Sequence, residues 1–100
     1  NLHREQPFVI SRDMKQIDIS WKGKETVLVQ GIIDAYFIED NELVLVDYKT
    51  DRVYRGEEQK LKELYHGQLE DYSAALERML NRKVKEKYIY SFSLGKALLL

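Results

Sequence analysis

The chain has 100 residues, of which 44% are hydrophobic and 33% charged, and it carries a formal net charge of −1. That composition fits one small folded domain rather than a disordered segment, and the near-neutral balance gives no global basic signal for nucleic acid. With no cysteine, a disulfide scaffold, a thiolate zinc site and an iron–sulfur cluster are excluded within the chain. No apolar run approaches the roughly 20 residues that cross a bilayer, and no signal-peptide pattern opens the sequence. The expectation is a cytoplasmic protein without a membrane partner. The first residue is Asn1 rather than methionine, which reads as a piece of a larger protein or as a product of processing, with residues 1–100 as a single domain.

Residues 5–10 read as a strand entered through Pro7, whose missing N–H suits a strand start or an edge. Residues 16–21 alternate, with Ile17, Ile19 and Trp21 on one side and Asp18 and Ser20 on the other, which predicts a half-buried strand. A polar turn containing Gly23 follows. Residues 26–38 are β-branched and aromatic and predict a central strand interrupted at Gly31, where a bulge or a close backbone approach is expected. Residues 39–42 form the next turn and residues 43–50 a second core strand, completing an antiparallel meander.

A polar connection with Arg52 and Arg55 leads into the one long helix, residues 57–80. Leu61, Leu64, Tyr65, Gln68, Leu69, Tyr72, Leu76, Met79 and Leu80 recur there at helical spacing. Glu57 and Glu58 sit where the helix dipole favours negative charge, and Asn81 suits a left-handed helix end. Residues 86–92 are the last strand, with Tyr88, Tyr90 and Phe92 on one face and Ile89 on the other. These aromatics read as core rather than as platforms for bases. A short apolar tail closes the chain. Arg82, Lys83, Lys85 and Lys87 read as a solvated basic turn. A strand after a helical crossover is expected to run parallel to its partner. The order β-β-β-β-α-β defines an α/β or α+β domain with a mixed sheet.

The chemistry concentrates in residues 30–51. In a strand, residues i and i+2 share a face, so Asp47 and Lys49 leave the sheet with Leu43 and Leu45. A hairpin between the two core strands brings Asp34 to the same side. Two carboxylates and an ammonium on a sheet face are costly to bury, whereas a hard divalent cation takes carboxylate and phosphate oxygens together. The lysine then orients a water or neutralises charge that grows in the transition state. The structural alternative for Lys49 is a simple surface pair with Asp47 or Asp51; for Gln68 and Tyr72 it is a polar spot on a core helix.

Three segments go further: Gly31-Ile32-Ile33-Asp34, then Val46-Asp47-Tyr48-Lys49-Thr50-Asp51, then Gln68-Leu69-Glu70-Asp71-Tyr72. They resemble the G-x-x-D, D-Y-K-T and Q-x-x-x-Y signatures of the RecB-type nuclease domains of the PD-(D/E)XK superfamily, in particular those of AddAB-type helicase-nucleases. The resemblance implies a restriction-endonuclease-like fold and Mg²⁺-dependent hydrolysis of DNA in double-strand break repair, with Mn²⁺ as a substitute ion. It implies metal ligation by Asp34, Asp47 and the backbone carbonyl of Tyr48, and a catalytic role for Lys49. Gln68 and Tyr72 would reach back to the site or to the DNA backbone. Arg52, Arg55, Lys60 and Lys62, just past the catalytic strand, read from their position as a solvated surface or, alternatively, as phosphate contacts. Glu5 would match a strand-borne glutamate of the family. The family's upstream helix, with its metal-binding histidine, finds no counterpart in the first six residues. The implied partners are single-stranded DNA delivered by an ATP-driven motor elsewhere in the larger protein and a second, AddB-like polypeptide. The alternative is a catalytically incomplete DNA-binding or subunit-interaction module of the same fold.

Overall fold

The hairpin at the centre of the molecule is set by two residues. Asp40 and Asn41 adopt left-handed φ angles of 53° and 67°, the conformation a two-residue turn needs and one that Asp and Asn tolerate. In the computed structural model, which describes residues 2–100, this turn joins β2 (Thr26–Glu39) to β3 (Glu42–Lys49). β1 (His3–Asp13) precedes them with the short α1 (Met14–Ile17), and α2 (Glu58–Leu80), β4 (Val84–Ser91) and β5 (Lys96–Leu99) follow. The strands form one sheet in the order β1-β2-β3-β4-β5. All neighbours are antiparallel except β3 and β4, which run parallel as the intervening helix requires.

Helix α2 covers one face of the sheet. Its Leu61, Leu69, Ala75 and Leu76 pack with Ile33, Leu43, Leu45, Ile89 and Leu98. Asn81 ends the helix in the left-handed conformation, at φ 51° and ψ 46°. Leu64 and Met79 fall outside the buried stripe and are exposed, while Ser73 and Ala75 are buried.

The structure corrects four expectations. Residues 16–21 are not a strand: α1 and a turn occupy them, and Ile19 is 96% exposed. Local polar bonds hold this segment instead. Gln16 Oε1 accepts from the Asp13 N–H, and the Asp18 carboxylate accepts from both the backbone and the hydroxyl of Ser20. Such side-chain bonds compete with a strand ladder. Three strands therefore precede α2, and the apolar tail supplies a fifth, β5, paired with β4.

The aromatics of β4 are not core. Tyr90 and Phe92 sit on the sheet face away from α2, with Phe92 stacked edge-on to Tyr90 and tilted against Tyr48, at centroid distances of 5.2 and 5.9 Å. The basic residues around β4 are not merely solvated. Lys85 pairs with Glu39 at 2.7 Å, Lys87 with Glu70 at 2.5 Å, and Arg82 bonds Asn41. These contacts fasten β4 to the central hairpin and to the helix.

Gly31 does not interrupt β2, whose pairing with β1 runs through it without a shift. It is a close approach. A Cβ there would lie 2.9 Å from Cε1 of Phe8, whose ring is buried against Tyr72. The irregularity falls further along the strand. Ile33 and Tyr36 both enter the core, although residues an odd number apart in a regular strand face opposite sides, so strict alternation breaks between them. At the same level of β1, between the pairs Arg4–Ala35 and Gln6–Ile33, Glu5 takes a φ of 54°. The break sits beside Asp34.

Gly31→Val should destabilise the fold by about 1–3 kcal/mol through overpacking against Phe8; urea unfolding of the two chains measures it.

Candidate active site

Main-chain pairing between β2 and β3 stops at Ala35–Val46. One residue further, the Asp34 side chain takes over: its Oδ2 accepts the backbone N–H of Tyr48 at 2.8 Å. A carboxylate thus replaces a carbonyl as the acceptor that closes the sheet. The β2 segment running from Thr26 to Ile33 continues beyond β3 and pairs with β1 alone. The sheet forks there, with Asp34 and Asp47 at the branch point.

Asp47 is only 2% exposed. Burial, followed by its hydrogen-bonding contact with the Asp34 carboxyl, pushes its pKa up to about 6, against the opposing pull of Lys49. Lys49 Nζ lies 2.7 Å from Asp47 Oδ2, but no donor is aligned on that buried oxygen in hydrogen-bonding geometry. The ammonium is aligned on Gln68 instead, donating to Oε1 at 2.6 Å. It also stands 4.0 Å from the centroid of the Tyr65 ring. The Tyr65 hydroxyl donates to both oxygens of Asp51, at 2.8 and 3.0 Å. That bond, more than burial, raises the phenol's pKa and keeps it a donor. Tyr72 is half-buried, and its phenol is raised first by burial and then by the charges of Asp47 and Asp34, which places it within their field.

The structure therefore brings together Asp34, Asp47, Lys49 and Gln68, whereas the Tyr72 ring packs edge-on against Phe8 at 5.2 Å and feels the acids only through their charge. The backbone N–H of Tyr48 joins them, while its ring lies on the far face against Phe92. Arg52 and Arg55 are exposed on the loop that leaves β3 and form no ion pair among the described residues. Glu5 is exposed, His3 stacks on Tyr36 at 4.7 Å and His66 is exposed on α2. Lys49 pairs with Asp47 rather than with Asp51, whose oxygens are taken by Tyr65. Asp51 and Tyr65 are the site-lining residues that sequence reasoning missed. The available signal was spacing: Asp51 stands two residues after Lys49, and Tyr65 three before Gln68 on the same helix face. A cleft of about 320 Å³ lies elsewhere, between β1 and α2 beside the Arg12–Asp71 ion pair, and holds none of these residues.

The donor set fits a hard divalent cation. Two carboxylates converge, and one of their oxygens is buried without an aligned donor. Among the described residues no third His, Cys, Asp or Glu completes a cluster, so further oxygen donors would have to come from backbone, water or substrate.

A mixed sheet with one covering helix, two acids at its fork and a lysine beside them is the arrangement of a PD-(D/E)XK nuclease. The model of the PD-(D/E)XK nuclease superfamily matches residues 2–99, and the chain belongs to that family. More particularly, it is 48% identical over 101 residues to the A subunit of the ATP-dependent helicase/nuclease of Thermoanaerobacter sp. (strain X514), an alignment covering 98% of this chain. It is 47% identical to the protein of the same name from Clostridium kluyveri, over 93% of the chain, and 43% identical to that from Ruminiclostridium cellulolyticum, over 94%. The chain spans 8% of the length of each of these relatives. No helix among the described residues is long and apolar enough to cross a membrane.

The raised Asp47 pKa has a definite consequence for stability in metal-free solution. The folded state holds this proton more tightly than the unfolded chain, so the Asp47 contribution to stability is fully present below the ordinary value of 3.8 and is lost as pH rises through the window up to about 6, against the opposite trend of carboxylates such as Asp18 and Glu70, whose pKa values are lowered. The expected loss is on the order of 2 kcal/mol. Urea unfolding from pH 4 to 7 with a chelator present measures it, and Asp47→Asn should remove that slope.

Proposed function

We propose that this chain is the nuclease centre of a helicase-nuclease and hydrolyses DNA phosphodiester bonds with Mg²⁺, which Mn²⁺ can replace. What carries the reading is one convergence: Asp34 and the buried Asp47 on adjacent strands, with Lys49 Nζ 2.7 Å from Asp47 Oδ2. Left to themselves, two crowded carboxylates in a sheet oppose folding, and a divalent cation relieves them. Asp34, Asp47 and the Tyr48 carbonyl would hold it. The chemistry supplied by the bound ion is polarisation of a phosphoryl oxygen and a lowered pKa for water.

The chain's own groups do the rest. Lys49, held by Gln68, presents a fixed positive charge where negative charge grows on the reacting phosphate. Tyr72, four residues after Gln68 on α2, keeps its proton in the field of the two acids and serves as a neutral donor to water or phosphate. Arg52 and Arg55 extend the charge to flanking phosphates, a role that positions the strand without reading its sequence. Water is the nucleophile, and no covalent enzyme intermediate is required.

The relatives' shared name joins a helicase to a nuclease. We read the substrate accordingly as single strands delivered by an ATP-driven motor elsewhere in the complete protein. The setting is recombinational repair of double-strand breaks in the bacterial cytoplasm, in complex with an AddB-like partner. A second reading, a DNA-binding or subunit-contact module without catalysis, draws on the lack of a third acidic or imidazole ligand among the described residues.

In the complete protein, Asp47→Ala and Lys49→Ala should each reduce metal-dependent DNA cleavage by about 10²–10³-fold, with DNA binding and ATP hydrolysis retained. Unchanged cleavage in either variant overturns the assignment. DNA binding by the parent protein with no cleavage at any Mg²⁺ or Mn²⁺ concentration favours the second reading.

A further inference from the structure

We infer that Tyr65, braced by Asp51, is a positioning residue that holds the Lys49 ammonium over its ring and keeps it in place independently of Asp47. The inference rests on the nuclease reading and adds a part to its machinery. An ammonium has three N–H donors. One is aligned on Gln68 Oε1 at 2.6 Å, the Asp47 Oδ2 atom lies 2.7 Å away, and the face of Tyr65 is 4.0 Å from Nζ to the centroid. Lysine is otherwise a flexible four-carbon stem carrying a point charge. Here three surfaces define where that charge stands.

These three restraints do not share one fate. Asp47 is the group that a cation would claim, so its hold on Lys49 is the one expected to weaken when the site is loaded. Gln68 and Tyr65 both come from α2, three residues apart and on one helix face, and neither is a candidate ligand. They remain. The ring is itself fixed, because the Tyr65 hydroxyl donates to both oxygens of Asp51, and Asp51 is only two residues along the chain from Lys49. The strand end thus grips the helix twice, by ammonium on the ring face and by carboxylate on the phenol. A cation over an aromatic face is attracted by the ring quadrupole, most strongly when water is excluded, and Lys49 has only 14% of its side chain exposed.

The test compares a series at one position in the complete protein. Tyr65→Phe keeps the ring and loses the brace. Replacing Tyr65 by 3,4,5-trifluorophenylalanine keeps shape and hydrophobicity but cancels the quadrupole. Tyr65→Leu loses both. Single-turnover DNA cleavage should fall about tenfold or more in the trifluoro and leucine variants, while Tyr65→Phe, which keeps the ring but loses the brace, should fall by a smaller, several-fold step; a parental rate in Tyr65→Phe overturns the part assigned to Asp51. The affinity for single-stranded DNA, measured with a chelator present, should be unchanged throughout. Nitrogen-15 NMR of the Lys49 ammonium gives a readout apart from activity: a slowly exchanging, ring-shifted signal in the parent and Tyr65→Phe, lost in the other two. Equal rates and spectra for the phenylalanine and trifluorophenylalanine variants overturn the ring's role. If Lys49→Ala also cleaves normally, the nuclease assignment fails with it. If Lys49→Ala is inactive and the Tyr65 series is flat, only the positioning role falls.

Discussion

Asp47 is asked to be two things at once: a residue of a buried strand and a negative charge. Moving an unpaired carboxylate out of water is strongly unfavourable, and a protein usually answers by neutralising it or supplying a partner. This fold does both in part. The proton is held more tightly than usual, and Lys49 stands beside the buried oxygen. Neither answer is complete, since Asp34 sits close enough to oppose ionisation and no donor is aligned on Oδ2. That residual mismatch makes the position receptive to a hard cation, and the neighbouring features follow from maintaining it.

The fork in the sheet is the first of these. If β2 and β3 continued their ladder past Ala35–Val46, Asp34 would be one more cross-strand pair partner for Asp47, with like charges directly opposed. Instead the strands part there. Asp34 reaches across to the Tyr48 N–H, so the main chain of one strand is satisfied by the acid of the other. The break in alternation between Ile33 and Tyr36, with Glu5 in a left-handed conformation opposite, lets apolar residues stay in the core on both sides of it. Helix α2 is the second. The stripe that packs Leu61, Leu69 and Leu76 on the sheet also carries Gln68 to Lys49 and Tyr65 to Lys49 and Asp51, and sets Tyr72 in the field of Asp47 and Asp34. One docking event therefore builds the core and places the polar groups.

Those parts of the molecule that obey a period could be read from the sequence. The helix, its left-handed end at Asn81, the two central strands and the parallel return of β4 all follow from local patterning and chain-crossing rules. The shared face of Asp47 and Lys49 follows from a period of two. Residues 16–21 misled because alternation alone does not supply a neighbouring strand. Asp18 and Ser20, which looked like the polar face of a strand, are more stable bonding to each other. The aromatics of β4 misled for a related reason. Alternation placed them correctly on one face, but nothing in it says which face of a sheet a single helix will cover. Tyr65 and Asp51 went unread as site residues because each looks complete on its own, a core aromatic and a loop acid. Their meaning lies in a contact between residues 14 apart.

The arrangement also explains why the site and the fold stand or fall together. Apart from Asp47, whose ion-pair partner Lys49 lies on the same strand, each charged group in it is borne by one element and satisfied by another: Asp34 of β2 by the backbone of β3, Lys49 of β3 by Gln68 of α2, Asp51 beyond β3 by Tyr65 of α2. Strand β3 by itself supplies only the Asp47–Lys49 pair. Lys49 and Gln68 can meet only after α2 has docked on the sheet, and Asp34 can bond Tyr48 only after the hairpin has closed. Undocking the helix would leave Lys49 with Asp47 alone and would open the apolar face of the sheet to water. The hydrophobic contacts of Leu69 and Leu76 therefore stabilise the polar centre as directly as its own hydrogen bonds do. In so small a core, where total stability is on the order of 0.1 kcal/mol per residue, a helix that carries both sets of contacts is the economical solution to burying an acid that must stay available.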